Sequence, residues 1–303
     1  MFDLNITWPP PNGPVDDGAL EALLAYVATL GYKTVALSTT IQAPVPVQPS
    51  PPTPLPTTLA AAIAQQNDPS NTQPRRFPTI LRRATVVIDD PSQNHRLQTL
   101  IPLYDILAIR PTTEKAFLSA CLNVQDYPLI SLDLTQRQPY PFRPKPCMTA
   151  IGRGLRFEAN YAEMVRALDP AARSTWIANF VSLTRATRGR GVLVSSGARD
   201  GARALDMRAP PDLVNLLEVF GLQRERGSEA LREVPRGIVL NEGIKRTGFR
   251  GIVNVVKMVD KKESAEEANE RKRKAEQAAA EPQMSKRQMR KAKAQAKAAG
   301  AAS

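Results

Sequence analysis

Apolar positions along this chain change period repeatedly. Phe2–Ile6 alternates apolar and polar side chains, as a strand does. Leu20, Leu23, Leu24, Val27 and Leu30 then recur at helical spacing, with Asp16 and Asp17 placed to cap the start and Gly31 to stop the helix. Thr34–Leu37 is β-branched and apolar and reads as a second strand. The same alternation continues downstream. It predicts strands at Ala84–Ile88, Ile106–Ile109, Leu129–Leu132, Leu155–Glu158 and Val192–Ser195. It predicts helices at Gln93–Leu100, at Thr112–Leu122 with Thr112 or Thr113 as cap, from Tyr161 onward, at Ala171–Arg188 and at Asp212–Phe220.

Strands alternating with helices place a parallel sheet under a helical layer. The fold class that follows is α/β, a TIM-barrel-like domain over residues 1–260. Only the strands named above are visible, so the barrel is either incomplete or completed by Val234–Leu240. An open doubly wound sheet has the same spacing. Two segments break the pattern. Residues 43–79 concentrate proline between Pro44 and Pro56, with few large apolar side chains. This reads as an exposed insertion, either a variable surface loop or a polyproline ligand. Residues 261–303 are rich in Lys, Arg, Glu, Ala and Gln, lack an apolar face, and are expected to be a disordered tail or a solvated helix.

Charge sharpens the picture. The 303 residues carry a formal +12, half of it in the tail, where 12 Lys and Arg oppose 6 Asp and Glu. Such a balance suggests an anionic partner. No apolar run is long enough to span a bilayer, and MFDLNITWPP does not read as a signal peptide. Two cysteines, Cys121 and Cys147, point to a reducing compartment and no disulfide.

Barrel enzymes hold catalytic residues at the C-terminal ends of strands. Here those ends offer Asp3, Asn5, Asp89, Asp90, Arg110, Asp133, Glu158, Asn160, Ser195 and Ser196. The chain has one histidine, His95. A zinc or manganese phosphoesterase needs several imidazoles, because neutral nitrogen ligands hold a borderline metal while leaving a coordination position open. A Ser-His-Asp triad would rest on His95 alone, and neither a Gly-x-Ser-x-Gly elbow nor a nucleotide-binding glycine loop is present. No catalytic residue, metal ligand or cofactor is therefore expected. The enzymatic alternative is a metal-dependent phosphoesterase built on Asp3, Asp89, Asp133 and Glu158.

The basic residues are the candidates for RNA contact. Arg110 is held extended by Pro111 and either aims at phosphate or pairs with a barrel carboxylate. Arg153 and Arg156 flank the start of the sixth strand. Arg185, Arg188 and Arg190 cluster where a helix dipole favours cations. Ser195, Ser196 and Arg199, around Gly197, either present hydroxyls, amides and a guanidinium to a phosphate or partner chain, or form a tight turn. Lys245, Arg246 and Arg250 surround Phe249 and two glycines, which fits RNA contact by charge and stacking, or a solvated loop. In the tail, Arg271, Lys272, Arg273 and Lys274, then Lys286-Arg287 and Arg290-Lys291, read as a nuclear localisation signal, an RNA-binding arm or a solubilising stretch.

The motifs Phe2-Asp3-Leu4-Asn5, Asp105–Thr112 (DILAIRPT), Ala120–Asp133, Arg153–Tyr161 (RGLRFEANY) and Val194–Leu222, in this order and spacing, resemble one family over most of Phe2–Leu240. It is the thirty-kilodalton protein subunit family of ribonuclease P and ribonuclease MRP. The resemblance implies a barrel similar to the polymerase and histidinol phosphatase (PHP) metallohydrolases, which begin with His-x-His where this chain has Asp3-Leu4-Asn5. It implies a non-catalytic subunit of an RNA-based endonuclease that matures the 5′ end of precursor tRNA. It also implies membership of the MRP particle, which processes precursor ribosomal RNA, in the nucleus and nucleolus. The implied partners are the structured catalytic RNA, precursor tRNA, a small ferredoxin-like subunit and other ribonuclease P and MRP proteins, with no membrane. The basic tail and long insertion suit a eukaryotic, fungal member. A scaffold that touches only protein is the non-enzymatic alternative.

Overall fold

Seven parallel strands lie side by side in chain order: β1 (Phe2–Thr7), β2 (Thr34–Gln42), β3 (Thr79–Ile88), β4 (Ile106–Pro111), β5 (Leu129–Leu132), β6 (Arg156–Asn160) and β7 (Val192–Ser195). The computed structural model describes residues 1–9, 17–67, 76–123, 127–198 and 206–247. The sheet curls until its edges meet. Ile6 and Ala198 form a parallel bridge, Thr7 N donates to Ala198 O at 2.8 Å, and Gly197 N donates to Asn5 O at 2.9 Å. β1 and the segment after β7 are thus joined at their C-terminal ends.

Val234–Leu240 is not an eighth strand. It lies in helix α9 (Glu233–Thr247). Pro235 explains why: proline removes a ladder donor from a strand but is tolerated in the first turn of a helix. Val234 and Ile238, four apart, then share one helical face. Ile238 is buried among Leu4, Ala36, Ile106, Ala108, Leu129 and Leu193, the apolar interior of the barrel, and α9 touches β1 and β7. It therefore covers the barrel beside β1 and β7, where the described residues supply no eighth strand.

The outer layer contains α1 (Asp17–Thr29), α2 (Thr57–Gln66), a 3-10 helix (Pro91–Leu100), α3 (Glu114–Leu122), α4 (Pro144–Gly152), α5 (Tyr161–Arg166), α6 (Pro170–Thr187), α7 (Pro210–Val219) and α8 (Arg224–Leu231). Local chemistry sets their starts. Of the two threonines proposed as the cap of α3, Thr113 is the one that accepts from Ala116 N, and Asp169 accepts from Ala171 N at α6. Proline opens α4, α6 and α7. Phe117, Phe157, Trp176 and Phe180 belong to the larger outer core. Cys121 and Cys147 are buried there, and burial pushes the Cys147 thiol up to about 12, so both pack as small apolar groups.

The proline-rich segment is not wholly an exposed linker. β2 runs on to Gln42 and pairs with β3 from Thr34↔Thr79 to Gln42↔Val87. α2 lies between them. Leu55, Leu59 and Ile63 recur every four residues, and Leu59 is buried, as are Val45 and Phe77. Among the described residues no helix is long and apolar enough to cross a membrane.

Candidate functional site

The barrel interior carries a charge pair that sequence reasoning missed. On β3, Ala84, Val86 and Ile88 pack toward the outer core, so Arg83 and Thr85 face inward. Arg83 and Glu158 of β6 are both 0% exposed. Arg83 Nη1 and Nη2 donate to the two Glu158 oxygens at 2.5 Å each, Nη1 donates to Leu4 O at 2.7 Å, and Nε donates to Thr85 Oγ1 at 3.1 Å. Glu158 also accepts from Ser195 Oγ at 2.8 Å and Asn5 Nδ2 at 3.3 Å. Burial pushes the Glu158 pKa up, but the Arg83 charge and the hydrogen bonds outweigh it, and the net direction is down. The signal available in the sequence was the pair Arg82-Arg83 inside a strand otherwise β-branched and apolar, of which alternation turns Arg83 to the interior.

Asp3 closes the seam between β1 and β7. A register shift follows Asp3 in β1, and its carboxylate accepts from Asn5 N at 3.1 Å and from Ser196 N at 3.2 and 3.3 Å. Burial is the largest influence and raises its pKa to about 6, against the hydrogen bonds that lower it. The unfolded value is 3.8, so the native state holds this proton more tightly. Ionising Asp3 as pH rises from 3.8 to about 6 therefore removes stability, about 3 kcal/mol in all. Asp3→Asn lacks this titration. Urea unfolding of both proteins between pH 4 and 8 should show wild type losing stability relative to the variant up to about pH 6 and holding a constant difference above it. A difference that does not change across that window would mean that Asp3 is not buried at the seam.

Ser195 and Ser196 were expected either to present hydroxyls to a phosphate or partner or to form a tight turn. The structure turns both inward: Ser195 Oγ donates to Glu158, and Ser196 Oγ donates to Asn5 O at 3.1 Å. The strand register decides this, because both residues are buried where the barrel closes.

Above this layer the C-terminal strand ends surround a mouth of about 640 Å³, lined by Asn5, Thr39, Arg110, Asp133, Asn160 and Glu163 among others. Of its two expected roles, Arg110 takes the carboxylate partner. Its Nη2 lies 3.9 Å from Glu163 Oε1 of α5 and donates to Ser131 Oγ at 3.3 Å. Glu163 was also missed; its signal was its place one helical turn after the end of the sixth strand.

The four carboxylates of the phosphoesterase alternative do not converge. Asp3 holds the seam, and Glu158 holds Arg83. Asp133 accepts from Thr135 N at 3.1 Å and Thr135 Oγ1 at 2.6 Å, while Asp89 accepts from Thr112 Oγ1. Among the described residues no three His, Cys, Asp or Glu side chains are grouped to hold a metal ion. His95 falls in the 3-10 helix, and its side chain lies outside the described residues.

The other basic candidates gather at the opposite, N-terminal end of the barrel. Arg153 Nη1 donates to Cys121 O at 2.8 Å, and Arg156 Nη1 donates to Leu155 O at 2.8 Å and Ile151 O at 3.2 Å. Lys245 pairs with Glu242 at 2.6 Å, and Arg246 donates to Tyr104 O at 2.6 Å. Arg153, Arg156 and Lys245 line a cleft of about 780 Å³ between α9 and the starts of β5 and β6, together with Glu229, Glu233 and Glu242. Exposed cations extend this end: Lys33 before β2, Arg188 and Arg190 before β7, and Arg232 and Arg236 around the start of α9. Burial, then Lys33 and Arg232, lower the pKa of the Met1 amino group at the foot of β1. Arg188 ends α6 in the left-handed conformation, φ 54°, which places it in the turn to β7. Arg199, Arg250, Arg271, Lys272, Arg273 and Lys274 lie outside the described residues, as does the rest of the tail.

A family model described as RNase P subunit p30 matches residues 1–247. The chain belongs to the RNase P subunit p30 family. One p30 relative is the ribonuclease P protein subunit p30 of Mus musculus, 34% identical over 192 residues, which cover 62% of this chain and 69% of the mouse protein. The probable ribonuclease P protein subunit 3 of Schizosaccharomyces pombe is 29% identical over 254 residues, 84% of this chain and 98% of that protein. The ribonuclease P/MRP protein subunit RPP1 of Saccharomyces cerevisiae is 27% identical over 255 residues, 82% and 83% of the two chains. The p30 fold is also seen in a chain from a cryo-EM structure of archaeal ribonuclease P with mature tRNA. That chain matches with a TM-score of 0.61 at 11% identity, over 86% of this chain and 100% of its own length.

Proposed function

We propose that the chain is a protein subunit of the ribonuclease P and MRP ribonucleoproteins that braces the catalytic RNA through the N-terminal end of its barrel. The family match along residues 1–247 and the names of the relatives support the subunit role. One observation carries the choice of surface. Lys33, Arg188, Arg190, Arg232 and Arg236 are exposed around a single end of the barrel, and Arg153, Arg156, Lys245 and Arg246 stand at the same end. Cations so placed neutralise phosphates and fix orientation without reading sequence, which is what a brace for a folded RNA requires.

The process served is 5′ maturation of precursor tRNA and, in the MRP particle, processing of precursor ribosomal RNA, in the nucleus and nucleolus. The partners are the structured RNA, precursor tRNA, a small ferredoxin-like subunit and the other proteins of the two particles. The chain itself cleaves nothing in this reading, since its interior carboxylates are held by Arg83 and the β1–β7 seam. The basic tail, including Arg271–Lys274, adds RNA affinity or nuclear entry.

Purification of the tagged full chain tests this. A particle that contains a structured RNA and cleaves precursor tRNA should accompany it, and the RNA-free chain should show no turnover. Cleavage by the RNA-free chain that disappears in Asp133→Ala would replace this reading with the phosphoesterase alternative.

A further inference from the structure

The C-terminal mouth of the barrel holds features that a brace at the opposite end does not use. Arg110 Nε and Asn160 Nδ2 are buried and make no hydrogen bond among the described residues, and both residues line the mouth. Asn160 is 0% exposed. The orientation of its amide follows from its neighbours. Asn5 Nδ2 must face Glu158, an ionised carboxylate that can only accept, and the same Nδ2 donates to Asn160 Oδ1 at 3.0 Å. Asn160 therefore presents its oxygen to Asn5 and keeps Nδ2 for something else. Its backbone is held as well, since Trp176 Nε1 donates to Asn160 O at 2.9 Å. Room for this side chain depends on Gly197, φ 65°, where a Cβ would sit 2.5 Å from Asn160 Cβ. Buried donors without acceptors are costly and rare, so two in one cavity mark a place where an acceptor belongs.

The rest of the lining describes that acceptor. The mouth is of a size that holds a small molecule. Thr7, Thr39, Thr40, Gln42, Thr112 and Gln136 contribute hydroxyls and amides, and no aromatic ring lines it among the described residues. A nucleobase would look for a ring to stack on; a sugar would look for these polar groups. Arg110 supplies a guanidinium edge, and exposed Arg137 adds a second cation at the rim. Arg110 Nη2 stands 3.9 Å from Glu163 Oε1, and Arg110 Nε has no acceptor among the described residues. We propose that the mouth binds a small sugar phosphate, its phosphate on Arg110 and Asn160 and its hydroxyls on the threonine and glutamine lining. This site is independent of the N-terminal RNA face, so either reading can fail alone.

Titration calorimetry of the full chain with ribose 5-phosphate, with ribose and inorganic phosphate for comparison, tests the proposal. Ribose 5-phosphate should bind about tenfold or more tighter than either comparison ligand. Amide hydrogen exchange should slow at Thr112 and at Gln136–Gln138 when it binds. Asn160→Asp, which sets a negative oxygen where the donor was, should weaken binding about tenfold or more. The double variant Arg110→Gln/Glu163→Gln, which removes the guanidinium without stranding a carboxylate, should do the same. No binding heat and no change in exchange in the wild-type protein would overturn the proposal, even if neither variant folds. Variants that unfold cooperatively yet bind as wild type does would also overturn it. Inorganic phosphate binding as tightly as ribose 5-phosphate would reduce the mouth to an anion site and overturn the sugar assignment.

Discussion

Arg83→Met is expected to destabilise the barrel by about 3–5 kcal/mol, the cost of leaving a buried charge without its partner. Glu158 would remain fully buried with only neutral donors, Ser131, Ser195 and Asn5, beside it. Glu158→Gln should cost a similar amount by stranding Arg83, whose remaining acceptors are neutral oxygens of Leu4 and Thr85. The combined variant Arg83→Met/Glu158→Gln should recover most of the loss, because neither charge is then left alone. Urea unfolding at neutral pH measures all three. Single-variant losses that simply add in the double variant would contradict a coupled pair. Acid should act the same way. The Glu158 pKa is depressed, so the pair's contribution is present above the unfolded value of 4.5 and is lost as pH falls through the lower folded value. That is the opposite sign to Asp3, whose ionisation removes stability as pH rises toward about 6.

The barrel was legible because its shortest strands, LISL and VLVS, are mostly apolar. Leu129–Leu132 and Val192–Ser195 were read with the bounds they have, since strands buried on both faces leave a signal that does not depend on partners. α6 was legible from its periodicity, one residue short of its proline start. What failed depended on neighbours. Val234–Leu240 (VPRGIVL) is a short stretch with apolar residues at both ends, and so short a stretch does not separate strand from helix by period alone. Pro235 was the available clue. β3 was read from Ala84, because Arg82 and Arg83 look like solvent residues until Glu158 is placed across the barrel. Ser195 and Ser196 were read as presenting hydroxyls to a phosphate or partner chain, or as a tight turn, and only the β1–β7 closure turns them inward. The basic candidates were visible one by one. That Arg153, Arg156, Lys245 and Arg246 share one end while Arg110 stands at the other became visible only once α9 was placed across the barrel.

The second large effect concerns that division of ends. Arg188, Arg190 and Arg232 are exposed and hold no salt bridge in the described structure, so reversing them removes charge without stranding a buried carboxylate. Each phosphate contact contributes about one unit to the slope of log affinity against log salt. The basic tail, +6 from its 12 Lys and Arg and 6 Asp and Glu, is unchanged in the variant, so its share of the slope cancels in the comparison. The direct measurement is the salt dependence of binding between the full chain and the RNA that co-purifies with it, from about 50 to 200 mM salt. The triple variant Arg188→Glu/Arg190→Glu/Arg232→Glu is compared with wild type and with Arg137→Glu at the mouth. RNA contact through the N-terminal end predicts a slope shallower by about 3 in the triple variant and unchanged in Arg137→Glu. A slope unchanged in the triple variant, or one lowered only by Arg137→Glu, would contradict it.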